Sequence, residues 1–443
     1  MLSLIKFKKN NPAEVLSWSG YDFANSAFAT TILAVIFNHY FAETVAGGPY
    51  GIPFKLLGMT VKIPGASVFQ FAVALSMIAV IFAAPILGAV SDHSKNKKSF
   101  LIFFCFLGSI FTGLLFFIRQ GDIVSGALFF ITANFAFAAG NVFYNSLLID
   151  IAHPDDMGKI SGLGWGLGYL GGGLCLVLNL IMLKNPELLG FTPGQLKIYH
   201  TFPTVALWWI IFSIPLFIWV KERKNIISPV KINFLRAGFQ RLARTYHNIR
   251  RYRQLLRFLI AYIFFNEGIE TTIITASIFG AEIIGLNSVQ LIGFFLIVQA
   301  TAFIGSIFFG YLVDAIGNKK ALLISIAVWS IIILWARFIG LFGAPVKEFY
   351  ILGMLTGLVL GGSQSAARSL QASFSPPDCS GEFFGFFAVC GKFAAMLGPL
   401  IYGTVVIFTG NLRSGILVLL VLFLIGGFIL YFVDEKEGIQ AAA

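Results

Sequence analysis

The fold is decided by the stretch Gly88-Ala-Val-Ser-Asp92, followed by Lys97-Lys98, because it recurs as Gly310-Tyr-Leu-Val-Asp314 followed by Lys319-Lys320. The two copies stand 222 residues apart, which is half of a chain of 443 residues. Each copy separates two long apolar runs. The sequence therefore predicts two related halves with corresponding loops.

Two more groups of residues repeat in the same order, with shifts of 223 and 241 residues. The matching sets are Ser146, Leu147, Pro154, Asp155 and Gly158 with Ser369, Leu370, Pro377, Asp378 and Gly381, and Tyr21, Phe23, Asn25, Thr30, Thr31 and Ile32 with Tyr262, Phe264, Asn266, Thr271, Thr272 and Ile273. The longer shift is explained by the loop 43–66, which is much shorter in the second half. Counted along the chain, the first, second and fourth apolar runs, each a predicted helix, thus correspond to the seventh, eighth and tenth.

The composition places these halves in a membrane. Hydrophobic residues make up 58% of the chain and charged residues 12%, against about 25% charged in an ordinary globular domain. Apolar runs of about 20 residues, enough to span a bilayer, start near residues 15, 67, 99, 124, 159, 203, 256, 288, 320, 348, 382 and 413. We expect an all-α membrane protein of twelve transmembrane helices in two six-helix repeats.

The first apolar run follows Lys6, Lys8 and Lys9 and has to be distinguished from a secretory signal. It extends over 15–41, longer than a signal core, and it contains polar residues. We expect it to stay in the protein as helix 1.

The positive charge indicates orientation rather than a nucleic-acid partner. Of 31 Lys and Arg, 11 lie in the segment 221–257, and the segments on the side of the termini hold 21 against seven on the other side. Cytoplasmic loops collect positive residues, so we expect both termini in the cytoplasm and contact with an anionic inner leaflet. The predicted domains are 1–221, a basic linker 222–257, which is either an amphipathic helix or a solvated segment, and 258–443.

The loop pattern resembles the signature of the major facilitator superfamily. Other stretches resemble its vacuole-effluxer-like, autophagy-related permease branch: Tyr21-Asp-Phe-Ala-Asn-Ser26, Phe143-Tyr-Asn, Gly168-Tyr-Leu-Gly-Gly-Gly173, Gly361-Gly-Ser-Gln-Ser365, Glu382-Phe-Phe-Gly385 and Gly398-Pro399. The resemblance implies alternating access around a midplane cavity and export of small solutes, amino acids being one class. Lys95 and Asn96 depart from the signature.

The repeated loops are candidate gates. The candidate gating residues are Gly88, Asp92, Lys97, Lys98, Asp150, Gly310, Asp314, Lys319 and Lys320. The resemblance implies that Asp92, Asp150 and Lys97 or Lys98 form a latch that holds an outward-open state. Solvated loop charges are the alternative interpretation.

A charged residue deep in a predicted span costs about 2.5 to 3.5 kcal/mol to insert. Glu267, Glu270 and Lys392 are such residues, and Asp22 lies nearer the inner surface. Glu267 and Glu270 share one face of helix 7, and two neighbouring carboxylates cannot both ionise easily. This pair is therefore a candidate carrier of a coupling proton. The alternative is a static ion pair with Lys392.

Polar residues on helices 1, 4, 7 and 10 are candidates for lining the cavity that the resemblance implies. They are Asn25, Asn141, Tyr144, Asn145, Asn266 and Gln364. Arg368, about one turn from the inner surface, either binds a substrate carboxylate or extends to the headgroups.

The sequence offers no motif for catalysis or for a cofactor. Gly166, Gly168 and Gly171 match a dinucleotide pattern, but they lie inside span 5, and the spacing of Gly164, Gly168 and Gly172 indicates helix packing instead. We find no metal-binding or hydrolase signature and expect neither a cofactor nor a metal. The predicted function is secondary transport of a small solute coupled to a proton or another ion. The alternatives are an uncoupled carrier, a transport-inactive receptor and an intramembrane enzyme.

Overall fold

The computed structural model describes residues 10–51, 53–56, 59–61, 63–94, 96–222, 252–341, 343–409 and 411–442, and this part of the chain is almost entirely helical. Twelve of its helices are long: α1 Pro12–Val45, α2 Gly65–Ser94, α3 Lys97–Leu114, α4 Ile123–Ser146, α5 Met157–Lys184, α6 Thr201–Trp219, α7 Arg253–Glu282, α8 Ser288–Ile316, α9 Asn318–Arg337, α10 Pro345–Ser373, α11 Ser380–Thr409 and α12 Leu412–Tyr431. Eleven are apolar enough to cross a membrane, and α11, with 30 residues, is the twelfth. The predicted fold class is confirmed.

Successive helices cross the bundle in opposite directions, so the bundle has two ends. One end carries Asn10, Glu222 and Gln254, and we call it the terminal end. The opposite end carries the loop between α1 and α2, and we call it the loop end. The basic linker 222–257, apart from its first residue and its last six, and Lys95 lie outside the described residues.

The six helices of each half pack among themselves, and the halves meet along a small number of helices. Helix α2 packs along α11, and α8 packs along α5. Contacts of α4 with α11 and of α10 with α5 complete the junction. Exchanging α2 with α8, α4 with α10 and α5 with α11 reproduces the same set of pairs. The junction therefore has the pseudo-twofold symmetry that the repeated sequence predicts.

Small residues allow the closest helix contacts, as expected in lipid, where helix association depends on van der Waals packing. A Cβ atom on Gly171 of α5 would overlap the Phe23 carbonyl of α1, and one on Gly168 would lie 2.8 Å from the Ser26 hydroxyl. The predicted packing role of the α5 glycines is confirmed. A dinucleotide loop is excluded because these glycines lie inside the helix.

The first half departs from regular helix in two places. Helix α1 contains π-helical turns at Phe28–Val35 and Tyr40–Val45, whereas α7 is a continuous α-helix. The loop before α2 forms a small antiparallel sheet of β1 Phe54–Leu56 and β2 Met59–Val61. We did not predict this sheet, because two strands of three residues are too short to give a periodic signal.

One repeat escaped the sequence analysis. Glu222 follows α6 and accepts a hydrogen bond of 2.7 Å from the backbone amide of Lys98 in the first turn of α3. Glu435 follows α12 and accepts from the backbone amides of Asn318 and Lys319 at the start of α9, at 2.9 and 3.1 Å. In each half, a carboxylate that follows the last long helix thus caps the N-terminus of the third long helix. The free N–H groups and the positive end of the helix dipole favour a negative charge there.

We expect Glu435→Ala to lower the stability of the protein by about 1–2 kcal/mol, because it leaves amides at the start of α9 without a protein acceptor. Thermal unfolding in detergent measures the effect. Gln440→Ala, an exposed change on the same C-terminal helix, Glu435–Ala442, is the control. Equal unfolding temperatures for the two variants would contradict the capping role.

Candidate functional site

The first feature of the site is a pair of aspartates that join the halves at the terminal end. Asp92, at the end of α2, accepts hydrogen bonds from the backbone amides of Gly381 and Glu382, at 2.9 and 2.8 Å. Asp314, at the end of α8, accepts from the amides of Gly158 and Lys159, at 2.9 and 3.3 Å. Each carboxylate therefore binds the N-terminus of a helix in the opposite half, where free N–H groups and the helix dipole favour negative charge.

The four signature lysines differ in their contacts at this junction. Lys97 donates to Asp150 at 3.0 Å and to the Ser380 hydroxyl of the other half at 2.7 Å. Lys98 donates instead to the Val220 carbonyl at 2.9 Å, within its own half. The structure thus brings Lys97, and not Lys98, together with the implied latch. In the described part of the chain, the ammonium groups of Lys319 and Lys320 have no hydrogen-bond or ion-pair partner.

The signature glycines lie where the halves touch. A Cβ atom on Gly88 would overlap the Gly381 carbonyl of α11. A Cβ atom on Gly310 would lie 2.9 Å from the Gly158 carbonyl of α5. Any side chain at these positions would separate the helices, so both glycines are needed for the closed junction seen here.

Arg368 forms the deepest connection between the halves. It lies on α10 and is 2% exposed, and its guanidinium enters the first half. One nitrogen, Nη1, donates to Asp22 at 2.8 Å and to Asn145 at 3.2 Å. Nε and Nη2 donate to the hydroxyl and carbonyl oxygens of Ser161, at 3.1 and 2.7 Å. The buried charge is therefore compensated entirely by the opposite half.

Aromatic rings enclose this ion pair. The guanidinium carbon of Arg368 lies 4.9 Å from the ring centre of Trp18, 5.7 Å from that of Tyr144 and 5.2 Å from that of Trp165. Trp18 stacks on Tyr144 at 4.5 Å and donates to its carbonyl at 2.9 Å. Tyr144, which the sequence analysis assigned to the cavity, is fully buried in this stack. We missed Trp18, Trp165 and Ser161 because nothing local distinguishes them from packing residues.

The predicted cavity amides form two equivalent pairs. Asn25 of α1 donates to Asn141 of α4 at 2.8 Å, and Gln364 of α10 donates to Asn266 of α7 at 3.3 Å. The members of one pair correspond to those of the other under the repeat. Asn141 and Gln364 remain partly exposed in mid-helix. The same repeat relates Asn145 to Arg368, so the arginine replaces an amide.

The acidic residues of α7 have different surroundings. Glu267 is 2% exposed, and its Oε1 accepts a hydrogen bond from the backbone amide of Gly398 in α11. Its Oε2 is buried and has no hydrogen-bond partner among the described residues. The nearby Thr271 hydroxyl is also unpaired there. Gly398 appears in the family-like stretch, but its contact with Glu267 joins two distant helices and cannot be read from sequence.

Glu270 of α7 and Lys392 of α11 are both partly exposed. They lie close enough to interact electrostatically, but within the described ranges neither forms an ion pair within 4.0 Å. Tyr169 of α5, the repeat counterpart of Lys392, lies within electrostatic range of Glu270, Asp22 and Arg368. The static ion pair considered above is not formed in this conformation.

The cross-half hydrogen bonds are concentrated on one side. Those described above, with the Ser161 hydroxyl donating to the Ser365 carbonyl at 2.8 Å, lie between the terminal end and the middle of the bundle. Nearest the loop end is a long bond of 3.4 Å from Gln299 to Thr30 in the π-helical part of α1. The structure is therefore closed at the terminal end.

Two related six-helix halves that meet through repeated loops around buried charges define a transporter of the major facilitator superfamily, and not an enzyme. The model of one family, described as vacuole effluxer Atg22 like, matches residues 10–443. The chain belongs to this family, and it is a multi-pass membrane protein that moves a small solute.

Relatives in bacteria and fungi cover most of the chain. An MFS-type transporter of Bacillus subtilis (strain 168), YxiO, is 31% identical over 424 residues, covering 95% of this chain and 94% of the relative. Autophagy-related protein 22 of Coccidioides immitis (strain RS) is 23% identical, covering 88% of this chain and 76% of the relative.

Solved structures share the fold at low identity. The proton:xylose symporter XylE superposes with a TM-score of 0.69 at 13% identity, covering 96% of this chain and 95% of that one. A bacterial homologue of the iron transporter ferroportin, in an outward-facing state, has a TM-score of 0.67 at 14% identity, with coverages of 95% and 98%.

We expect Asp22→Asn or Arg368→Gln to open the terminal end, because losing one member of a buried pair leaves the other charge uncompensated, at about 3–5 kcal/mol. The double variant should open less than the worse single variant. Labelling of Ser91→Cys, which lies at the closed junction, measures opening in a protein whose four native cysteines are replaced by serine.

Lys184→Gln, an exposed change at the loop end, is the control for loss of one charge. Equal protection of the cysteine in all variants would show that the pair does not hold the gate.

Proposed function

We propose that the protein is a proton-coupled carrier of amino acids that exports them by alternating access between its two halves. The observation that carries the coupling is the Glu267 carboxyl, which is buried in mid-helix with one oxygen bonded and the other unpaired in the described part of the chain. XylE, a solved structure with the same fold, is a proton:xylose symporter, and this supports the proposal of proton coupling.

The surroundings of Glu267 suit a group that gains and loses a proton. An ionised carboxylate without a partner on one oxygen is costly in a low-dielectric interior. In the conformation closed at the terminal end we therefore assign the proton to this carboxyl. Gly398 lies on α11, which also contacts α2 and α4 of the opposite half. A relative movement of the halves would thus change the exposure of the carboxyl, whereas the bond to Gly398 lies within one half.

Glu270 and Lys392 provide a site for a solute with both charges. They are opposite charges in mid-membrane, both partly exposed, and too far apart in this conformation for an ion pair. A zwitterion placed between them would present its ammonium group to Glu270 and its carboxylate to Lys392. The adjacent amide pairs, Asn25 with Asn141 and Asn266 with Gln364, supply further donors and acceptors around this space.

Arg368 has a different role in this scheme. Its guanidinium is already bound by Asp22, Asn145 and Ser161, so in this conformation it contributes to the gate and not to the solute site. Opening the terminal end requires these bonds to break together with those of Asp92 and Asp314. The halves that move against each other are 1–221 and 258–443, with 222–257 as the connecting segment.

We propose that the terminal end is cytoplasmic, because it carries most of the basic residues and cytoplasmic loops collect positive charge. We assign the protein to a bacterial inner membrane, following the bacterial relative that covers nearly the whole chain, with both termini cytoplasmic. The closed terminal end would then be the cytoplasmic gate of an outward-open state. The family description, which is that of an effluxer, supports export.

We expect proteoliposomes that contain the purified protein to accumulate one class of labelled amino acids when a pH gradient is imposed. Glu267→Gln should abolish the accumulation and retain equilibration or exchange, because the amide cannot carry a proton. Glu282→Gln, an exposed change on the same helix, is the matched control and should behave like the wild type.

The other outcomes are equally informative. Wild-type transport that ignores the gradient would identify an uncoupled carrier. Accumulation by Glu267→Gln that equals the wild type in extent and pH dependence would exclude this residue as the proton site. Absence of flux for every amino acid would contradict the proposed substrate class.

A further inference from the structure

We propose that the groove between the start of α9, the end of α12 and the C-terminal helix Glu435–Ala442 binds the headgroup of an anionic phospholipid. The groove lies at the terminal end, on the outer surface of the second half. Among its lining residues are Lys319, Lys320, Tyr431 and Ile439. The site is independent of the substrate path and of the coupling mechanism.

The first observation is an asymmetry between equivalent lysines. In the first half, Lys97 is bound by Asp150 and Ser380, and Lys98 is bound by the Val220 carbonyl. Their counterparts Lys319 and Lys320 have no hydrogen-bond or ion-pair partner in the described part of the chain. The second half has Ser373 at the position that corresponds to Asp150. It therefore keeps the basic pair without the carboxylate that neutralises it.

Three features of the groove favour the binding of an external anion by the lysines. Lys320 is exposed, and Lys319 is partly exposed with its ammonium 5.5 Å from the ring centre of Tyr431. Lys436 adds a third positive charge to the same groove. An ammonium beside an aromatic ring keeps its full charge and remains available to a phosphate.

The carboxylates of the groove already accept hydrogen bonds from backbone amides. Glu435 accepts hydrogen bonds from the amides of Asn318 and Lys319, and Asp434 accepts from the amides of Lys436 and Glu437, both at 3.0 Å. Both carboxylates therefore compensate helix N-termini rather than the lysine side chains. The net charge available to a ligand in the groove is positive.

The position of the groove selects a lipid over a soluble anion. An exposed apolar stripe runs along α12 through Val421, Leu424 and Phe428 and ends at Tyr431, which is 65% exposed. Exposed Ile324 and Ile331 continue the line of Lys320 along the adjacent α9. An acyl chain lying along these two helices would place its phosphate at the lysines, and tyrosine is typical of this depth in a membrane. Basic residues near an anionic surface contribute about 1 kcal/mol each.

The test is native mass spectrometry of the purified full-length protein with phosphatidylglycerol and, separately, phosphatidylcholine. We expect the wild type to retain phosphatidylglycerol preferentially. Lys319→Gln with Lys320→Gln should weaken this binding about thirtyfold, the loss expected for two basic residues. Lys184→Gln with Lys347→Gln removes the same charge from exposed positions at the loop end and should leave the binding unchanged.

A second variant guards against misfolding of the double variant. Ser373→Asp introduces the carboxylate that the first half has at Asp150, keeps both lysines, and should also weaken phosphatidylglycerol binding. Equal retention of the two lipids by the wild type, or unchanged binding by the lysine variant and by Ser373→Asp, would overturn the proposal. Because lipid binding is measured without transport, a failure of the transport assay does not affect this test.

Discussion

The rest of the structure depends on one buried charge. The Arg368 guanidinium is almost inaccessible to solvent and is held by three residues that all belong to the opposite half. A charge in this position is tolerable only while its partners stay together. The helices must therefore meet closely at the terminal end, which explains the glycines at the crossing points and the aspartates on the helix N-termini. When the halves separate at this junction, the guanidinium must be solvated by water or paired with another anion.

Some contacts occur in both halves at equivalent positions, whereas several charged residues occur in one half only. The Asp92 and Asp314 contacts, the glycine crossings and the amide pairs occur twice, in equivalent positions, and they build the junction. Asp22, Glu267, Glu270, Arg368 and Lys392 have no charged counterpart of their kind in the other half. A symmetric framework can rock between two states. In the proposed mechanism, Glu267, Glu270 and Lys392 give those states different affinities for a proton and a solute, and the Asp22–Arg368 pair holds the closed state. Lys319 and Lys320 are a further asymmetry, because the second half lacks a carboxylate equivalent to Asp150, and we propose that they bind a lipid at the membrane surface.

Much of this arrangement could be predicted from the sequence. Twelve apolar runs long enough to span a bilayer predicted the number of helices. Three repeats in the same order predicted which helices of the two halves correspond. The same correspondence relates Asn25 and Asn141 to Asn266 and Gln364. The contact of Glu267 with Gly398 could not be predicted, since it joins helices that are distant in the chain. The aromatic enclosure of Arg368 was missed for the same reason, and Tyr144 proved to be part of it. The caps made by Glu222 and Glu435 were missed because the loops around them differ in length.

The central claim is that the two halves move as units about the junction at the terminal end. Distances between spin labels at Asp155 and Ala315 report on that end, and distances between labels at Leu188 and Leu341 report on the loop end, all four positions being exposed. Pulsed electron resonance on the wild type should show a short distance for the terminal pair. Gly88→Val, which forces α2 from α11, should lengthen the terminal distance and shorten the loop distance together. A longer terminal distance with an unchanged loop distance would mean local separation of two helices, and it would contradict the account.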